Sequence, residues 1–215
     1  MAEITIHGVA GSPYVRAAVL GLEEKGVSYR FAAMGMGENK SEAHLQRHPF
    51  GRIPAMEHGD FRLYETQAIL RYVDASFAGP ALQPKEARAA ARMNQIVGIV
   101  DWYVFPQVSA TISRQRIILP RFRGGTPDEA VIAAALPKAQ ICIDELERLK
   151  GGNAFMAGAE ISIADLMLAP HLAYYAMTPE GAAMLQGKTL ATWLTRMGER
   201  RSMQATERDK LLAAA

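Results

Sequence analysis

The chain has one cysteine, Cys142, in 215 residues. No internal disulfide can staple it, and a reducing compartment suits it. It has no uninterrupted apolar stretch of about 18 residues, which excludes a membrane-spanning helix. Met1-Ala2-Glu3 carries neither the basic nor the apolar region of a secretory signal, so the expected location is cytoplasmic with no membrane partner. Charge of one sign is also scarce. Lys and Arg number 24 against 22 Asp and Glu, a net charge of +2. With so small a net charge and no five-residue run of Lys or Arg, nucleic acid is not an expected partner. The five histidines, His7, His44, His48, His58 and His171, show no metal-ligand spacing and no accompanying carboxylate cluster, so no metal site is expected. What remains is an ordinary globular composition, 49% hydrophobic and 21% charged, in a chain long enough for one large or two modest cores.

Residues 3–7 alternate around Ile4 and Ile6 and predict a short strand, followed by a turn over Gly8–Ser12. Ser12-Pro13 then fits a helix start: the serine hydroxyl can accept an orphan N–H, and proline has no N–H to leave unsatisfied. Val15, Ala18, Val19 and Leu22 form one apolar face, and Lys25-Gly26 closes the helix, predicted over 13–25. Tyr29–Ala33 reads as a second strand, so the chain opens with a βαβ unit and a parallel pair. A short polar helix near 41–47 follows, then a hairpin of 53–58 and 61–63 turning at Gly59-Asp60. A helix over 65–77, with Ala68, Ile69, Tyr72 and Val73 on one side, completes the order βαβαββα.

Ala78-Gly79-Pro80-Ala81-Leu82-Gln83-Pro84 reads as a linker, because it combines glycine and prolines where strand signals end. Helices are predicted over 85–119, 127–149, 162–177 and 188–199, with a shorter one at the end, forming a bundle. Leu136, Ile143, Leu146 and Leu149 line one face of the second of these, and Cys142 on the same helix reads as a small core hydrophobe. Ser162-x-x-Asp165 is a variant capping box with Ile161 and Leu166 at the staple positions, a structural helix start. The expected domains are therefore 1–77, a linker at 78–84, and an all-α domain over 85–215.

Five motifs stand in register across this plan: Ser12-Pro-Tyr-Val-Arg16, Leu22-Glu-Glu-Lys-Gly26, Pro49-Phe-Gly-Arg-Ile-Pro54, Leu63-Tyr-Glu-Thr66 and Ile161-Ser-Ile-Ala-Asp165. In order and spacing the chain resembles the cytosolic glutathione transferases over nearly its whole length. Ser12, fourteen residues before Gly26, most resembles the serine-type, phi-like branch. The resemblance implies an α/β + all-α fold, with an N-terminal thioredoxin-like βαβαββα domain before a helical C-terminal bundle. It also implies glutathione as co-substrate with no tightly bound cofactor, a small electrophilic and partly apolar second substrate, detoxification chemistry with peroxide reduction as a side activity, and a homodimer.

The resemblance assigns roles residue by residue. Ser12 would stabilise the glutathione thiolate, with Tyr14 as the rival donor. A hydroxyl at a helix N-terminus does so by a charge-assisted hydrogen bond and by the helix dipole. Lys40 and Arg52 would hold the glycyl carboxylate. Ile53 would offer main-chain groups before a cis Pro54, and Glu65 and Thr66 would take the γ-glutamyl amine and carboxylate. Tyr14, Gln107, Thr111 and Arg114 would face the electrophile. Plainer readings stand beside these: a helix cap for Ser12, Glu65 and Thr66, solvated charge for Lys40 and Arg52, core or solvent facing for Tyr14, Gln107, Thr111 and Arg114. Arg114, Arg116, Arg121 and Arg123 fit a solvated face or an acidic electrophile. The competing function is a non-catalytic ligand-binding or scaffold protein of the same fold. Thiol–disulfide exchange is disfavoured, because no cysteine lies near Ser12.

Overall fold

A computed structural model describes residues 3–215, which fall into two compact units, 3–83 with 198–215 and 84–197. The first unit is built on four strands, β1 (Ile4–Gly8), β2 (Tyr29–Ala33), β3 (Ala55–His58) and β4 (Phe61–Tyr64), ordered β2-β1-β3-β4. β1 runs parallel to β2, with Ile6 opposite Phe31, and antiparallel to β3, with Ile6 opposite Met56. The β3–β4 hairpin turns at Gly59, whose φ of 64° suits a residue without Cβ.

Helix α1 (Pro13–Lys25) begins at the Ser12 cap and ends at Gly26, φ 65°. Its predicted face is buried, and so are Ala17, Leu20 and Gly21, because α3 (Thr66–Ser76) packs against it. Gly8 lets β1 approach α1 closely: a Cβ there would stand 2.4 Å from a Val15 methyl. The core joins Ile4, Ile6, Val15, Val19, Leu22, Phe31, Met56, Ile69 and Val73. Between β2 and β3 lie a 3-10 turn, Glu38–Lys40, and the single-turn helix α2 (Glu42–Leu45).

The second unit is entirely helical. α4 (Ala87–Ile99) continues into a π-wound stretch, Val100–Ile118, containing Pro106, and then α5 (Leu119–Arg123). α6 (Glu129–Lys150), α7 (Ile163–Ala176), α8 (Pro179–Leu185) and α9 (Thr189–Gly198) follow. α7 is buried from Ile163 to Leu172 on every side, as expected of a helix apolar all round. The Asp165 carboxylate accepts from Ser162 N–H, Ser162 Oγ, Met156 N–H and Trp193 Nε1, at 2.8–2.9 Å. Burial pushes that carboxyl up against the pull of its donors.

Three features differ from the sequence reading. Ile53 and Pro54 precede β3 instead of belonging to it, and the Ile53–Pro54 peptide is cis. α8 has no counterpart among the predicted helices. The last residues, which include α10 (Arg201–Ala205) and α11 (Arg208–Ala213), group with the sheet unit, whereas the chain-order division set them in the helical half. Leu211 enters the sheet unit's core, and Arg16 Nη2 donates to Met203 O at 2.6 Å. No helix among the described residues is long and apolar enough to cross a membrane.

Candidate functional site

Ser12 and Tyr14 stand half-buried at the start of α1. Ser12 Oγ accepts from Val15 N–H at 3.4 Å. As acceptor in that bond the hydroxyl keeps its own proton to donate. No carboxylate occupies the first turn of α1, so the positive end of the helix dipole is not offset there.

The start of α3 lies against the start of α1. Thr66 is buried and its hydroxyl donates to Tyr14 O across 3.5 Å. Glu65, exposed just before it, has φ +69° and ψ 115°, the one positive φ outside glycine among the described residues. Its side chain makes no capping bond to α3, which corrects the plain reading of Glu65 as a side-chain cap.

Lys40 and Arg52 are both exposed, and Lys40 Nζ comes within 2.8 Å of where a Cβ on Gly51 would sit. One ammonium therefore lies beside the residue preceding Arg52. The loop entering Ile53 is fastened twice. Asn39 Nδ2 donates to Gly51 O at 2.6 Å, and His44 Nε2 lies 2.7 Å from Arg52 O. His48, also buried, packs its ring 4.6 Å from Tyr64. Burial depresses its pKa, the Glu65 charge opposes this, and His44 and Arg52 add to the depression. Sequence reasoning set these histidines aside because they lack metal spacing. His44 lies on α2 and His48 follows it just before Pro49, and their i, i+4 separation is the available signal.

The structure thus gathers Ser12, Tyr14, Lys40, Arg52, Ile53, Pro54, Glu65 and Thr66 in the sheet unit. Gln107, Thr111 and Arg114 lie on the π-wound stretch of the other unit. Gln107 and Thr111 are half-buried and Arg114 is exposed. Thr111 Oγ1 donates to Pro106 O at 2.7 Å, so that hydroxyl serves its own helix. Arg116 pairs with Glu129 and Glu180, which leaves it out of the solvated arginine face. Cys142 is buried and burial pushes its thiol up. No group of three His, Cys, Asp or Glu that could hold a metal ion occurs among the described residues.

The model of the glutathione S-transferase N-terminal domain matches residues 2–75, and that of the C-terminal domain residues 129–198. Glutathione S-transferase F12 of Arabidopsis thaliana is 30% identical over 175 residues, covering 80% of this chain and 81% of its own. Glutathione S-transferase F6 of the same plant is 27% identical over 210 residues, 95% of this chain and 99% of its own. The crystal structure of poplar glutathione transferase F1 superposes with a TM-score of 0.85 at 26% identity, covering 98% of this chain and 99% of that one. Glutathione S-transferase I from maize, solved in complex with an atrazine glutathione conjugate, gives 0.83 at 26% identity over the whole of both chains.

Proposed function

This chain belongs to the glutathione S-transferase family, and from that premise we propose that Ser12 activates glutathione for attack on small electrophiles. The protein is a glutathione transferase with glutathione as co-substrate. The observation that carries the Ser12 assignment is its place at the uncompensated N-terminus of α1, in one compact unit with Arg52, Ile53, Glu65 and Thr66.

A free thiol has a pKa near 8.5, so only a few per cent is thiolate at neutral pH. Lowering it by about two units requires about 2.7 kcal/mol. A hydroxyl donor and a helix N-terminus together supply that much. Ser12 Oγ–H donates to the sulfur anion, and the thiol proton leaves to solvent. The sulfur lone pair then forms the C–S bond as the electrophile's leaving group departs with its electron pair. Ser12 stabilises the charge on sulfur, stays a neutral hydroxyl and takes no proton.

The remaining groups hold the peptide. Arg52 and Lys40 pair with the glycyl carboxylate, Ile53 pairs main chain to main chain, Glu65 takes the γ-glutamyl amine, and Thr66 with the α3 N-terminus takes its carboxylate. As candidates for contact with the electrophile we name Gln107, Thr111 and Arg114 of the helical domain, which follows a linker at 78–84, and Tyr14 of α1. We expect a two-fold homodimer. Phe50 in one unit, 68% exposed, and Trp102 in the other, 77% exposed, are surfaces of the kind a second copy covers. A cytoplasmic location belongs to the same reading, supported by the lone buried thiol.

The test is conjugation of glutathione to chlorodinitrobenzene by wild type, Ser12→Ala and Tyr14→Phe between about pH 6 and about pH 8. Ser12→Ala is expected to lose most of kcat/KM and to move the thiolate titration upward, with Tyr14→Phe near wild type. The reverse pattern assigns activation to Tyr14.

A further inference from the structure

We propose that His44, with Asn39, is a positioning residue for glutathione: it sets the direction of the Ile53 N–H that pairs with the tripeptide. This inference rests on the glutathione site proposed above. A peptide unit is planar, so the Arg52 carbonyl and the Ile53 N–H lie in one rigid plane. Whatever fixes that oxygen fixes the opposed N–H.

His44 meets the oxygen at 2.7 Å. A carbonyl only accepts, so Nε2 carries the proton and donates. The preceding peptide plane is fixed in the same way by Asn39 Nδ2 on Gly51 O at 2.6 Å. Two consecutive carbonyls leading into Ile53 are therefore held by side chains from the 3-10 turn and α2. The imidazole can act as a fixed post because it is itself immobile. It is 1% exposed, its ring stacks on that of His48 at 6.3 Å, and Ser41 Oγ caps its backbone N–H at 3.3 Å. His44 Nδ1 is buried and has no hydrogen-bond partner among the described residues. Only the Arg52 bond therefore accounts for an imidazole at this place, and a phenyl ring would fill the same volume.

A positioning role and a merely structural one predict different kinetics. Loss of the post leaves Ser12 and the α1 dipole untouched, so the cost falls on glutathione affinity. The experiment compares wild type, His44→Phe, His44→Gln and Asn39→Ala, with Arg52→Ala and Ser12→Ala as references. It measures equilibrium glutathione binding, conjugation kinetics over a glutathione range, and thermal unfolding. His44→Phe is expected to raise glutathione Kd and KM about five- to tenfold, the worth of one hydrogen bond, while kcat at saturating glutathione stays within about twofold. The pH dependence of kcat stays in place. His44→Gln, whose amide can donate to the same oxygen, is expected to recover most of the loss, and Asn39→Ala to show a smaller change of the same kind.

Unchanged glutathione affinity in folded His44→Phe overturns the proposal, as does an equal deficit in Phe and Gln. So does a loss seen in kcat with KM unmoved. Should the Phe variant fail to fold, the Gln and Asn39 variants decide by the same readouts. If Arg52→Ala and Ser12→Ala also leave glutathione binding and turnover unchanged, the site itself is misplaced. If they impair it and the His44 and Asn39 variants do not, only the positioning role falls.

Discussion

Lys25 Nζ donates to Asp74 Oδ1 at 3.0 Å, joining the last residue-position of α1 to α3 with side chains only 2% and 9% exposed. The same carboxylate accepts from Leu82 N–H at 2.9 Å and from Gln83 Nε2 at 3.1 Å, and Lys25 Nζ also reaches Pro80 O. One ion pair therefore holds the C-terminal end of α1, the last turn of α3 and the chain leaving the sheet unit.

Asp74→Ala should destabilise the protein by about 3 kcal/mol or more, because it strands a buried ammonium and two further donors. Urea unfolding measures this, and a loss under about 1 kcal/mol would refute the buried-pair account. The pair also sets an acid limit. Burial raises the Asp74 carboxyl, but Leu82, Gln83 and Lys25 outweigh it and hold the pKa below the usual range. A depressed carboxylate stabilises the fold above its unfolded value of about 3.9, and the stabilisation is lost as pH falls through the lower folded value. Wild type should therefore lose more stability below about pH 4 than Asp74→Asn does, when both are unfolded by urea across that range.

Asp165 accepts four hydrogen bonds inside the helical unit. Asp165→Ala leaves four buried donors without an acceptor, and the expected cost is at least about 3 kcal/mol. Trp193→Phe removes one donor and leaves three bonds, so its loss should be less than half as large. Equal losses in the two variants would show that indole packing, and not the carboxylate, holds the start of α7.

Glu24 fastens the chain's end to the sheet unit. Its buried carboxylate accepts from Arg200 Nε at 2.8 Å and Nη2 at 2.6 Å, and from the Ser202 hydroxyl. Glu24→Ala should speed proteolysis beyond residue 199 and lower stability by about 3 kcal/mol. Digestion followed by mass spectrometry checks both the site of cutting and its rate; cutting elsewhere first would contradict the contact.

What could be read in the sequence was local. Ser12-Pro13 and Gly26 bound α1 because capping chemistry lies within a few residues of the helix end. Gly59 marks the hairpin for the same reason. α8 escaped because seven residues make too short a window for periodicity. Its Gly181 packs against the end of α7, where a Cβ would stand 1.8 Å from Tyr175 O. The return of Gly198–Ala215 rests on contacts across 176 or more residues, such as Glu24 with Arg200, and no local pattern encodes these. The motif residues of the site stood out, whereas Asn39 and His44 did not, since their partners are backbone carbonyls that carry no residue identity.

Glu65 offers the sharpest separation of stability from function. Its φ of +69° with ψ of 115° is a conformation that costs a residue with a Cβ on the order of 1–3 kcal/mol and glycine far less. Strain and binding can be pulled apart by two substitutions. Glu65→Ala removes the carboxylate and keeps the strain; Glu65→Gly removes both. Each should weaken glutathione by about 10- to 100-fold, the worth of a charged hydrogen bond to its amine. Glu65→Gly should nevertheless be more stable than Glu65→Ala by about 1 kcal/mol, since relief of the strain exceeds the added flexibility of glycine. Thermal unfolding ranks the pair, and isothermal titration with glutathione gives the affinities. A Gly variant that is less stable than Ala would show the backbone there to be unstrained. Wild-type affinity in both would remove Glu65 from the amine subsite.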